Sequence, residues 1–525
     1  MYGAVDHGRP AGARIGTVRS VDAARVTIEL EDGADHASSC RLSGLLGIEA
    51  GENARVYATI RAIDRDGVRT VLGADMIGEA AEGGGLNRGV TTYPTPGAPA
   101  MLLDEADMAH LFAPSAHGAA SIRIGTIYPT NVPAMVNADA LLSKHFSVLG
   151  STGTGKSSTL ALIVHRIVEA MPNGHILILD PHNEYASAFA DIGVHFDPTS
   201  LSLPYWMMNF EEHVEVFIGQ REASREVEVD ILKRSLLAAR KKNAKFSVAR
   251  TTVDTPTPYK LSDLIAELDQ QMGRLEKPET LMPFLRIKHK IEELRSDERY
   301  GFMFSGMLIN DSFSEIIGRL LRMPSDGKPV STLDLSGVPS DIVDVVVSVL
   351  CRMVFDFALW SRKGDMARPL LLVCEEAHRY VPRERNLRFD SARRTIDRIA
   401  KEGRKYGVSL GLVSQRPSDI SESILSQCGT IVSMRMNNER DAAFVASALP
   451  EGSEAFLDSI SSLRNRECVI CGEGVAVPMR VRLDWLEEDL RPSSADPVFS
   501  TDWRHGGLNP GFVQSVVTRW RNGNR

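Results

Sequence analysis

The run Gly150-Ser151-Thr152-Gly153-Thr154-Gly155-Lys156-Ser157 constrains the chain more than any other feature. Its Gly-x-x-x-x-Gly-Lys-Ser spacing is that of a phosphate-binding loop set between a strand and a helix. The flanks agree: Phe146, Val148 and Leu149 precede it as an apolar strand, and Ser158 to Ala170 follow as a helix. Glycines let successive backbone N–H groups converge on phosphate oxygens, at a helix start whose peptide dipoles favour negative charge. Lys156 is expected to reach the β/γ-phosphates and the Ser157 hydroxyl to ligate Mg²⁺. Residues 150–158, Ser158 included, are therefore expected to bind a nucleoside triphosphate.

The chain has 525 residues, enough for more than one domain with its own core. It is 43% hydrophobic and 24% charged, an ordinary globular composition. A net charge of −8 excludes a uniformly basic surface but not a local basic stripe. Six cysteines in mostly apolar contexts suit a reducing, cytoplasmic setting. Cys468 and Cys471 form a CxxC, yet in a strand an i/i+3 pair points to opposite faces, which argues against metal binding. No leader peptide is evident at the start. The longest apolar window, Ile342–Trp360, carries Asp344, Arg352 and Asp356, so it is expected to be a buried helix and not a membrane span.

Residues 12–78 carry the alternation of half-buried strands, as in Val26-Ile28-Leu30 and Val56-Ala58-Ile60, with Asp32-Gly33 and Asp66-Gly67 as hairpin turns. A small β-barrel is expected there. The stretch with Gly83-Gly84-Gly85, Pro94, Pro96 and Pro99 reads as loop or linker. From about residue 122 continuous apolar strands alternate with helices, as in Ile176–Leu179, Leu370–Cys374 and Val408–Val413. That pattern indicates an α/β fold with a parallel sheet covered on both faces. Charged, helical residues 209–305 interrupt it with no strand. The expected division is a barrel over 1–110, a core over 111–208 and 306–490, a helical insertion over 209–305, and a tail over 491–525.

Glu375 and Glu376 end the apolar strand Leu370–Cys374, at the sheet edge where ligands of doubly wound folds bind. Nucleotide hydrolysis needs one carboxylate near the metal and another for the attacking water. Glu375 is assigned to the Mg²⁺ side and Glu376 to the water. Gln415, at the end of the next apolar strand, is a candidate γ-phosphate sensor, and Asp180 and His182 candidate supporting groups. Residues 379–405 hold ten Lys/Arg against four acids, a surplus suited to a nucleic-acid path or to an arginine finger. Arg404 is the choice for the finger.

Taken together these residues resemble a family. Gly150–Ser157, Asp180-Pro181-His182-Asn183-Glu184-Tyr185, Glu375-Glu376-Ala377-His378, Glu402-Gly403-Arg404-Lys405-Tyr406-Gly407 and Ser414-Gln415-Arg416-Pro417 occur in the order seen in HerA-type ATPases, of the FtsK/HerA branch of P-loop motors. The resemblance spans nearly the whole chain. It implies a RecA-like core, a homo-hexameric ring, ATP hydrolysis between subunits, and translocation of double-stranded DNA through the pore. It implies that Lys156 and Ser157 bind nucleotide and metal, that Glu376 is the catalytic carboxylate, and that Arg404 is a finger acting in trans. Lys144 stands where the family often has Arg, and Asn183 where it commonly has Gly. The tail, with Trp503 and Trp520, stands where the family braces the adjacent subunit.

Such proteins act with a separate nuclease of NurA type in DNA end processing, or with a nuclease or sirtuin-like NADase in anti-phage defence. The competing reading is a ring scaffold that activates a partner effector, with ATP as a structural switch. A conjugation or secretion ATPase, or a chromosome-segregation FtsK, would be expected to bring membrane spans.

Overall fold

The computed structural model describes residues 12–521 apart from 32–38, 52–53, 68, 82–85, 113–119, 220–224, 243–249, 274–277, 306–308, 363–366, 385–389, 449–458, 494–498 and 505–509. Asp32-Gly33, Gly83–Gly85, Arg385 and Arg388 lie outside the described residues.

The alternating N-terminal strands close on themselves. They are β1 (Ala13–Asp22), β2 (Arg25–Leu30), β3 (Leu45–Ala50), β4 (Ala54–Asp66), β5 (Arg69–Ala81), β6 (Asn87–Arg88) and β7 (Pro99–Leu102). They pair in the order β2-β1-β7-β3-β4-β5, and a β2–β5 pairing closes a six-stranded barrel, with β6 added beside β5. Val26, Ile28, Val56, Ala58 and Ile60 all point into its core, as alternation requires. Asp66-Gly67 makes the β4–β5 turn. The linker reading of the Pro-rich stretch is corrected at its end. Pro99 opens β7, which bridges β1 and β3; a strand's first residue is a place where a missing N–H is tolerated.

The second sheet has eleven strands: β8 (Ser121–Ile127), β9 (Pro133–Asn137), β10 (Phe146–Leu149), β11 (Ile176–Asp180), β12 (Gly193–Phe196), β13 (Val330–Asp334), β14 (Leu370–Cys374), β15 (Val408–Ser414), β16 (Thr430–Met434), β17 (Glu467–Gly472) and β18 (Met479–Leu483). Their order is β12-β13-β11-β14-β15-β10-β16-β17-β18-β8-β9. The run from β12 to β16 is parallel, as the apolar strands indicate. From β16 to β9 every pairing is antiparallel, so the sheet is mixed. The connections between β8 and β9 and between β17 and β18 are too short for a parallel crossover.

Two cores flank this sheet. Along β11, Leu177 and Leu179 enter one and Ile176 and Ile178 the other; along β14, Leu372 and Cys374 oppose Leu371 and Val373. The CxxC divides likewise, Cys468 to one core and Cys471 to the other, and all six cysteines are buried and unpaired.

After the P-loop comes α1 (Lys156–Ala170). Between β12 and β13 the described residues form only helices, chiefly α2 (Phe210–Phe217), α3 (Arg225–Lys242), α4 (Leu261–Met272) and α5 (Pro278–Ser296). They pack onto α6 (Val343–Ser361), where Arg352 donates to Glu212 at 2.9 Å and to the Met207 carbonyl at 2.7 Å. Among the described residues no helix is long and apolar enough to cross a membrane.

Candidate nucleotide site

The ends of β11, β14, β15 and β10 lie side by side in the sheet and bring the motifs to one edge. The loop after β10 holds residues 150–155. Gly155 occupies the N-cap of α1 with φ +98°, a left-handed backbone that a side chain would strain, and no side chain caps the helix. The first N–H groups of α1 are thus left for an anion. Gly150 abuts β16, where an added Cβ would come within 2.8 Å of Met434 Cβ.

Lys156 is buried, and its Nζ donates to the Ser151 carbonyl at 3.0 Å, folding the ammonium back over the loop. Burial lowers its pKa, while Glu375, Glu376 and Glu184 raise it. The Ser157 hydroxyl donates to Glu184 at 2.8 Å. Thr152 donates to the Gln415 side-chain oxygen, so the candidate sensor already touches the phosphate loop.

The two carboxylates differ. Glu375 is fully enclosed and accepts a hydrogen bond from the Tyr185 hydroxyl at 3.0 Å. Burial, and then the charge of Glu376, push its pKa up to about 8, so it holds a proton at neutral pH in the nucleotide-free chain. Glu376 leaves the strand altogether, with φ +51°. Burial raises its pKa too, against the pull of Lys156. Its Oε2 is buried and accepts no hydrogen bond, although His378 Nδ1 lies 3.1 Å away. That nitrogen is engaged by the Ser414 hydroxyl at 3.1 Å, and Ser414 Oγ in turn accepts the Arg416 N–H at 3.0 Å. Burial depresses the His378 pKa to about 4, so the imidazole is neutral. The Oε2 oxygen is therefore left without a donor at the edge that carries the phosphate loop.

Asp180 accepts the backbone N–H groups of His182 and Tyr185 at 3.2 and 3.0 Å, which fixes the turn carrying Glu184 and Tyr185. Asn183 sits in that turn at φ +55°, a left-handed backbone that Asn tolerates better than most residues other than Gly. His182 is exposed at the same edge. The parts not foreseen individually are Glu184, Tyr185 and His378. The signal for the first two was the polar run after an apolar strand, which marks a binding edge without assigning partners.

The oxygens of Ser157, Glu184 and Glu375 make a hard donor set suited to Mg²⁺, which takes few protein ligands beside phosphates and water. Consistent with that economy, the described residues hold no cluster of three or more His, Cys, Asp or Glu side chains able to bind a metal alone.

Comparison with known proteins finds similarity to HerA helicases. The model of the central domain of helicase HerA matches residues 122–354. The DNA double-strand break repair helicase HerA of Sulfolobus acidocaldarius is 28% identical over 436 residues, 81% of this chain and 80% of that one. The protein of the same name from Pyrococcus furiosus is 29% identical over 416 residues, 70% of each chain.

Over most of its length the chain is similar to HerA helicases.

Among solved structures, VirB4 of Thermoanaerobacter pseudethanolicus aligns with a TM-score of 0.51 at 17% identity, covering 71% of this chain and 98% of that one, a likeness of fold.

Arg404 is not with the other motif residues. It is exposed near the end of α7 (Asp390–Tyr406), just before β15 begins. Seven residues of β15 separate that edge from Gln415, roughly 20 Å of extended strand. Lys144, just before β10, lies on the same far edge and pairs with Glu473. Much of the basic surplus on α7 is paired: Arg398 with Glu402 at 3.6 Å, Lys401 with Asp397 at 2.6 Å, and Arg394 with Glu211 at 3.5 Å. These are the ordinary ion pairs of a solvated helix, and they leave less free charge than the count suggests.

Proposed function

We propose that the chain forms a homo-hexameric ring that hydrolyses ATP at its subunit interfaces and moves double-stranded DNA through the pore. The carrying observation is that each subunit holds the P-loop, Glu376 and Gln415 at one edge of the sheet and exposes Arg404 at the other. That separation supports a site completed by a neighbour's arginine. The relatives named for DNA break repair support DNA as the substrate of the motor.

The N–H groups of 150–157 and the Lys156 ammonium hold the phosphates, with Ser158 at the α-phosphate. Ser157 and Glu375 stand on the metal side. When bound there, Mg²⁺ would neutralise charge that builds on the phosphate oxygens. Glu376 orients the attacking water and takes its proton through the donor-free Oε2. Gln415 reports the γ-phosphate to Thr152 and to β15. Arg404 of one subunit stabilises charge on its neighbour's nucleotide, and the exposed Trp503 and Trp520 of the tail brace the ring.

The work of such a ring is DNA end processing or anti-phage defence beside a separate nuclease or defence effector. Mixing subunits tests the shared site. Glu376→Gln and Arg404→Ala are each inactive alone, and mixed rings recover activity where an intact Glu376 faces an intact Arg404. Mixed rings as dead as the parents would show that Arg404 does not act in trans.

A further inference from the structure

Beside the P-loop lies a groove that the phosphate site does not use. It is walled by Gly155, Ser158 and Leu162 of the loop and α1 on one side and by Arg466, Trp485 and Arg491 on the other, with an empty volume of about 340 Å³ including its mouth. Thr159, Met434, Leu483 and Leu486 supply an apolar lining.

Trp485 follows β18 directly and is 53% exposed, an unusual state for an indole on a fixed backbone. The backbone is indeed fixed. The Leu483 N–H donates to the Arg466 carbonyl at 2.9 Å and the Asp484 N–H to the Ile124 carbonyl at 2.9 Å. The Asp484 carboxylate is anchored by Arg123 at 3.2 Å and Arg166 at 3.7 Å. The Arg466 and Arg491 guanidinium carbons lie 4.4 and 4.1 Å from the Trp485 ring centroid. Two planar cations that close to one centroid do not fit on one face, so the indole is stacked between them. Each arginine is held: Arg466 donates to the Leu483 carbonyl at 3.2 Å, and Arg491 to the Leu486 carbonyl at 2.7 Å. Arg466 also takes φ +69°, a strained backbone for a branched chain of atoms, kept where the surroundings enforce it.

We infer that this groove receives the nucleobase and ribose of the bound nucleoside triphosphate, the base stacking on the outer guanidinium face of the Arg466–Trp485–Arg491 set, which the indole holds in place. The inference rests on the P-loop reading and deepens it. Phosphates seated on residues 150–157 leave the α-phosphate at Ser158, and the groove begins at that residue. Nucleobases stack on aromatic rings and on guanidinium planes alike. The base is thus read by the segment after the last sheet strand, about 330 residues beyond the P-loop in sequence.

Calorimetric titration of the full chain with ATP and with inorganic tripolyphosphate, each with Mg²⁺ and in a Glu376→Gln background, separates base from phosphate recognition. Trp485→Ala is expected to weaken ATP about 5- to 100-fold and leave tripolyphosphate unchanged. Trp485→Phe should restore most of the loss, and Arg491→Ala should weaken ATP selectively as well. Unchanged ATP affinity in both alanine variants, or a parallel loss for tripolyphosphate, would overturn the assignment. A parent that binds neither ligand would refute the P-loop reading itself, and the base site with it.

Discussion

His378 Nδ1 stands 3.1 Å from Glu376 Oε2 and 3.1 Å from the Ser414 hydroxyl, so one neutral imidazole lies between the carboxylate after β14 and the end of β15. Gln415, which touches the P-loop through Thr152, is the next residue. The proposed water-orienting carboxylate and the candidate sensor thus flank one imidazole.

Glu376→Gln should bind ATP and lose hydrolysis by about 10²- to 10⁴-fold, the usual contribution of a positioned general base. Steady-state rates beside nucleotide affinity measure this. Turnover near the parent rate would remove Glu376 from the water.

His378→Ala should cost less, about 10- to 100-fold in kcat with KM little changed, because it misplaces the carboxylate without removing it. A rise in KM at constant kcat would instead place His378 in nucleotide binding.

Arg404→Ala should lower kcat about 10³-fold or more while ATP still binds and the ring still assembles. Light scattering would report assembly. Loss of the ring along with the activity would make Arg404 an interface residue.

His213 gives a pH signature away from the site. It is buried, with Nδ1 2.6 Å from the Asn209 carbonyl and Nε2 2.9 Å from the Tyr259 hydroxyl. Burial holds its folded pKa near 3, against about 6.5 unfolded. Below pH 6.5 the unfolded chain takes a proton that the folded chain refuses. Stability should therefore fall with falling pH from 6.5 toward 3, by up to about 1.4 kcal/mol per unit. Thermal unfolding of His213→Gln should lose that part of the slope; an identical profile would contradict it.

Arg352→Met should destabilise the chain by about 3–5 kcal/mol, since Glu212 is 1% exposed and would be left buried without its cationic partner. Denaturant unfolding would show it, and a change under 1 kcal/mol would contradict the pairing.

Local chemistry was legible in the sequence. Apolar runs ending in Asp180, Glu375 and Gln415 announced strands that meet at one edge, and period-2 alternation announced the barrel. Pairings between distant segments were not. Val481 lies opposite Ile127 in the β18–β8 ladder, and nothing in either strand's own pattern names the other. The Pro99 strand was hidden because Pro signals a loop unless a neighbour's register is known. The left-handed backbone at Glu376 was hidden because the apolar run before it implied a strand continuing through both glutamates. His378 looked like a motif member without a task, since its partner Ser414 belongs to another strand.

The central claim is that hydrolysis at this site is driven by DNA. ATP turnover by the purified chain, with and without linear double-stranded DNA and beside Glu376→Gln as a blank, tests it most directly. The account predicts strong stimulation by DNA and none in the blank. A Glu376-dependent rate that ignores DNA would contradict the motor and leave a ring whose ATP serves assembly with a partner.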